Sequence, residues 1–133
     1  MSLFSFSGER PGTLGVKDGQ LSACPDSPNC VNSQAADKEH SIAPLGYKGA
    51  ATEAIARLKT LIESTEDAKI ISAKDDYLYA EFASKLMGFV DDVEFFAPAS
   101  ETVIHVRSAA RLGKSDLGVN RKRIELIRDR FES

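Results

Sequence analysis

The chain has 133 residues, 42% of them hydrophobic and 28% charged, the size and composition of one folded domain, which excludes a disordered polar chain. Its formal net charge of −3 excludes a broadly basic nucleic-acid-binding surface. The charge is uneven: residues 1–100 carry nine Lys and Arg against fifteen Asp and Glu, whereas residues 101–133 carry eight against five, so the two parts are electrostatically complementary.

The start, MSLFSFSGERPG, has no basic region followed by a sustained apolar run, so no secretory signal and no transmembrane segment are expected, and the expected location is cytoplasmic. From Met1 to Leu45 the chain is rich in Gly, Pro, Ser, Asn and Asp without either regular period, which predicts an irregular arm over the surface. Ala51, Ala54, Ile55, Leu58, Leu61 and Ile62 then recur at helical spacing, with Glu53, Arg57, Lys59 and Glu63 between them. This is the pattern of an amphipathic helix.

The period next changes to two. Ala68–Lys74, Tyr77–Ser84, Phe89–Ala97 and Thr102–Ala109 are β-branched or aromatic runs joined by short turn-forming links, which predicts four antiparallel strands. Val119 to Phe131 returns to helical spacing through Ile124, Ile127 and Phe131, with Asp116 or Asn120 as the N-cap. The expected fold is α+β in a single domain over residues 1–133. An irregular arm (1–45) packs on a core (46–133) of helix, four-stranded antiparallel sheet and C-terminal helix, both helices on one sheet face and the other face partly wet.

Alternation assigns the strand faces. Ile104, Val106 and Ser108 suit the core, which leaves His105 and Arg107 for the open face. Val93 and Phe95 carry Asp91 to the core side and send Asp92 and Glu94 outward, so Asp91 is the acid in need of a structural charge partner. Tyr77 and Tyr79 share a face, as strand tyrosines or as an aromatic patch.

Arg121, Lys122 and Arg123 fall in the first turn of the last helix, where unpaired amides already present partial positive charge. A negative group should offset them. One reading is a bound phosphate or carboxylate, or a protein partner, engaged by Arg107, Arg111, Lys114, Asn120, Arg121 and Arg123. The other, favoured reading is internal charge from Asp91, Asp92, Glu94 or Asp116, because the glycine-containing turn is not a phosphate-loop pattern.

Cys24 and Cys30 bracket a turn-forming Pro-Asp-Ser-Pro-Asn. Two structural thiols or a structural disulfide, a redox-responsive pair, and a metal site, for which the two cysteines with His40 make an incomplete ligand set, all stay open. The spacing matches neither a Cys-x-x-Cys motif nor a zinc knuckle, and no metal or other cofactor is implied. No hydrolase elbow, metal-helix motif or dinucleotide fingerprint is present. A non-catalytic binding or accessory protein is therefore the first expectation, and a small enzyme using His105 with Asp92 or Glu94 on a phosphorylated or carboxylated substrate the second.

Taken together, RPGTLGV, CPDSPNCVNSQ, HSIAPL, GFVDDVEF and IHVRSAARLGKSDLGVNRKRIE resemble the uncharacterised domain-of-unknown-function family fourteen-ninety-nine of bacteria, cyanobacteria and plastids, from about Arg10 to Arg128. The resemblance marks Cys24, Pro28, Asn29, Cys30 and Val31, the pair Asp91 and Asp92, and the set Arg107, Ser108, Arg111, Asp116, Asn120, Arg121 and Arg123. It implies a recognisable core and no particular activity.

Overall fold

The computed structural model describes residues 8–84, 88–113 and 116–132. The arm opens with a small hairpin, β1 (Val16–Lys17) and β2 (Gln20–Leu21). Asp18 and Gly19 turn it with φ of 54° and 75°, the left-handed pair that matches strand twist in a two-residue hairpin. Two more short strands follow, β3 (Cys30–Asn32) and β4 (Leu45–Gly46). After α1 (Ala51–Glu63) come β5 (Ala68–Ala73), β6 (Tyr77–Ala83), β7 (Val90–Phe96), β8 (Val103–Ala110) and α2 (Val119–Phe131).

The expected four-strand meander is present, but the sheet is larger than four strands. It has six, in the order β3-β8-β7-β6-β5, with β4 also paired to β8 and every pairing antiparallel. The arm is therefore not irregular throughout. Its two short strands share the outer edge of β8: Cys30 and Asn32 oppose Ala109 and Arg107, and Leu45 opposes Ile104. A strand edge left open would expose a row of unpaired amides and carbonyls. Segments of two or three residues satisfy that edge while being too short to carry a period-two signal.

Both helices bury their apolar stripes against one sheet face. Ile55, Leu58 and Ile62 of α1 and Ile124, Ile127 and Phe131 of α2 pack in one cluster with Leu78, Val93, Phe95, Ile104 and Val106. Arg57 ties the helices together, stacking 4.0 Å from the Phe131 ring and donating to its carbonyl at 2.6 Å. A second, smaller cluster of Leu21, Tyr77, Tyr79 and Phe96, with Leu14 and Ile71 against it, lies beneath the arm. The face expected to be partly wet is thus covered. His105, Arg107, Asp92 and Glu94 are all buried, because the arm supplies a third layer that alternation alone cannot reveal.

Candidate functional site

The segment between β8 and α2 ends in Asp116, Leu117 and Gly118. Leu117 and Gly118 bend the chain with φ of 55° and 80°; the N-cap is Gly118, not the expected Asp116 or Asn120, and Asp116 reaches the helix start from two residues before that cap. Its oxygens accept from the Gly118 amide at 2.9 Å, the Asn120 amide at 3.0 Å and the Asn120 side chain at 2.7 Å. Burial works against the charged form, but these bonds outweigh it and hold the Asp116 carboxyl below the ordinary aspartate range. The helix N-terminus therefore has its anion from within the chain.

Asn120 is fully buried behind Asp116. Its oxygen accepts from Ser108 at 2.5 Å and Arg123 at 2.9 Å, and its amide donates to the Asn29 carbonyl at 3.3 Å. Arg123 reaches Asp91 at 2.7 Å and lies 4.9 Å from the Phe82 ring. Asp91 thus sits on the core side and pairs with the cationic start of α2, as alternation requires. Burial pushes its carboxyl up and Arg123 opposes the shift.

The other basic residues are drawn to different places. Arg121 donates to the carbonyls of Ser41 and Glu39 at 2.9 and 3.0 Å. Arg107 donates to those of Ser22 and Ala23 at 2.8 and 3.3 Å. Arg111 makes two bonds to Asp92, at 2.5 and 3.1 Å, and one to Glu81 at 2.8 Å. Lys114 lies outside the described residues. The arginines expected to converge on one anion are spread over both sheet faces, and carboxylates and carbonyls of the chain occupy them.

On the arm side, Asp92 and Glu94 are more buried than Asp91, with 1% and 0% of their surface exposed. This corrects the expectation that they face outward into water. Tyr79 donates to Asp92 at 2.5 Å, and Tyr77 and the Gly15 amide donate to Glu94 Oε2 at 2.5 and 2.6 Å. Glu94 Oε1 has no partner among the described residues, and burial pushes this carboxyl up. Burial likewise pushes both tyrosine hydroxyls up.

His105 does not join them. It opposes Phe96 across the sheet, while Glu94 opposes Arg107 and Asp92 opposes Ala109. Its Nδ1 shares a hydrogen bond with Ser33 Oγ at 2.9 Å, and its Nε2 faces Glu101 at 3.3 Å. The acid-base pair expected from shared outward faces is thus not assembled. Ser33, Glu81 and Arg10, which bonds Glu81 at 2.7 Å, belong to this face but carry no period or motif that singles them out.

A separate cleft runs beside α2. It measures about 500 Å³ and is lined mostly by apolar carbon from Phe82, Val119, Leu126 and Ile127, with Lys122, Arg123, Arg130, Asp67 and Asp91 around it. Val119 and Leu126 are 45% and 64% exposed, unusual for two apolar side chains on one helix face. The exposed Lys122 side chain has no hydrogen-bond or ion-pair partner among the described residues. The segment from Arg107 to Arg123 ends at this cleft, yet no local spacing foretells it, since its walls come from β6 and α2.

Cys24 and Cys30 are joined as a disulfide, with Cα atoms 5.7 Å apart. No described helix is long and apolar enough to cross a membrane. No curated protein and no solved structure is found to match the chain. Residues 20–131 match the family described as Protein of unknown function (DUF1499), and with the capped turn, the Asp91–Arg123 pair and the Cys24–Cys30 ring all inside that span, the chain belongs to the DUF1499 family.

Proposed function

We propose that this is a non-catalytic binding or accessory protein whose ligand is a small amphipathic anion, an alkyl chain ending in a carboxylate or phosphate. The observation that carries the reading is the cleft beside α2, with its apolar lining and the Lys122 ammonium at its side. Its volume of about 500 Å³ lies within the roughly 300–1,000 Å³ of small-molecule sites. The alkyl part would cover Val119, Leu126 and Ile127, and each buried methylene contributes about 0.8 kcal/mol. The head group would meet Lys122, with Arg130 nearby.

The anion is placed on the flank of the helix and not at its end, because Asp116 already accepts from the terminal amides. A cytoplasmic location belongs to the same proposal. Cytosolic buffers keep most cysteine pairs open, so alkylation in intact cells bears on it directly: free Cys24 and Cys30 are expected in the cytoplasm, and a blocked pair would place the protein in an oxidising compartment.

Amide spectra recorded during titration with dodecanoate, dodecanol and inorganic phosphate test the ligand. Dodecanoate is expected to shift amides at Phe82–Ser84 and across Val119–Arg130, dodecanol to do so more weakly, and Lys122→Glu to weaken dodecanoate binding by about tenfold, the loss of one charge-assisted contact. Phosphate shifts confined to residues 112–120 would return the site to the turn. No response to dodecanoate would overturn the reading and leave a protein partner as the occupant.

A further inference from the structure

We infer that the Cys24–Cys30 disulfide is a thiol-exchange site that reacts with low-molecular-weight thiols through Cys24. The two sulfurs stand in unlike surroundings: Cys30 is fully buried on β3, whereas Cys24 is half-exposed and lines a second cleft of about 460 Å³. That cleft has a mixed lining, with Gln20, Asn32, Gln34 and Asp37 beside Leu21 and three alanines, so polar groups of a small thiol find hydrogen-bond partners next to Cys24.

His40 is held against the ring. His40 Nε2 faces the Ser27 carbonyl, inside the ring, at 2.8 Å, and its Nδ1 faces Asp37 at 2.5 Å. Two acceptors, one at each ring nitrogen, are satisfied together only by the imidazolium. A nearby positive charge favours a thiolate in the same loop. The ring closes a sequence separation of only six residues, and a short ring constrains the unfolded chain less than a long one.

The chemistry balances without another reagent. The thiolate of an incoming small thiol attacks Cys24 Sγ, the Cys24–Cys30 bond breaks, and its electron pair leaves on Cys30 Sγ, which takes a proton from solvent. A second molecule of thiol attacks the sulfur of the first, releasing Cys24 as thiolate and forming the small-molecule disulfide. Two thiols are oxidised and the protein disulfide becomes a dithiol; the reverse sequence restores it. This site is separate from the cleft beside α2, so failure of either reading leaves the other standing.

The test incubates the whole protein under native conditions with mixtures of reduced and oxidised glutathione, quenches with acid, alkylates, and assigns adducts by peptide mass. Reversible conversion between disulfide and dithiol is expected without loss of the folded amide spectrum, and the glutathione adduct of the wild-type protein is expected on Cys24. In single variants, Cys30→Ser should form that adduct about tenfold faster than Cys24→Ser, because only Cys24 is accessible. The wild-type adduct decides the matter if a variant fails to fold. Reduction only in urea, an adduct on Cys30, or much faster reaction with a protein dithiol than with glutathione would each overturn the assignment.

Discussion

Asp91 and Asp92 are adjacent on β7 and point into different layers, one toward α2 and the other beneath the arm. Strand alternation foretells that separation and also Asp91's partner at the start of α2. Alternation alone ranks Asp91 as the costlier acid to disturb, and the depth of Asp92, which depends on a covering segment elsewhere in the chain, reverses that ranking. Asp92 has 1% of its surface exposed and is held by Tyr79 and two bonds from Arg111. Asp92→Asn is therefore expected to cost about 3–5 kcal/mol, as for a broken buried pair. Asp91→Asn, whose pair with Arg123 is partly exposed, should cost about 1–3 kcal/mol. Urea midpoints of the two variants provide the comparison, and the reverse order would contradict the layer assignment.

Glu94 makes a residue-scale prediction of its own. Its carboxyl is raised by burial, so the folded state holds that proton more tightly than the unfolded chain does. The cost of ionising it appears as pH rises above the unfolded glutamate value of about 4.3 and is complete above the folded pKa. Glu94→Gln removes that pH dependence. The variant should therefore gain stability relative to the parent between pH 4 and pH 7, measured as the difference in unfolding free energy at each pH.

At the scale of elements, the two helices and the meander are legible because their periods run through many residues; Ile55, Leu58, Ile62, Ile124, Ile127 and Phe131 all reach the core. The short β3 and β4 are not, since they exist by pairing with β8 and not by local preference. The Asp18–Gly19 hairpin turn lay in plain sight as a dipeptide but had no strong strands around it. For α2, the spacing points to Asp116 or Asn120 as N-cap, whereas Gly118 takes that position and Asp116 bonds the Gly118 and Asn120 amides from beyond the left-handed Leu117 and Gly118. Asp116→Ala should cost about 1–2 kcal/mol at neutral pH. Because the folded pKa of Asp116 is depressed, that contribution is present above the unfolded value of about 3.9 and is lost as pH falls through the folded pKa. Paired denaturation curves at pH 7 and pH 3 should show the gap between parent and variant closing.

Across the whole molecule, the excess acid of residues 1–100 and the excess base of residues 101–133 meet in the Asp91–Arg123, Asp92–Arg111 and Glu81–Arg111 pairs. That complementarity was legible from charge counting, and it explains why Arg111 and Arg123 are occupied from within; Arg107 and Arg121 are held by backbone carbonyls of the arm, which charge counting does not foretell. The cleft beside α2 was not legible, since Phe82 and Leu126 meet only through the tertiary fold. If it is the ligand site, dodecanoate at about 100 times its dissociation constant should raise the unfolding free energy by about 2.7 kcal/mol, seen as a shift in the thermal midpoint that dodecyl-free acetate does not reproduce.

Intermolecular NOEs between dodecanoate and the protein test the cleft most directly. Contacts from the chain methylenes to Phe82, Val119, Leu126 and Ile127, with the carboxylate end beside Lys122, are the expected result. Contacts gathered at Gly118 and Arg121, or no contacts to Phe82 and Ile127 at saturating ligand, would contradict it.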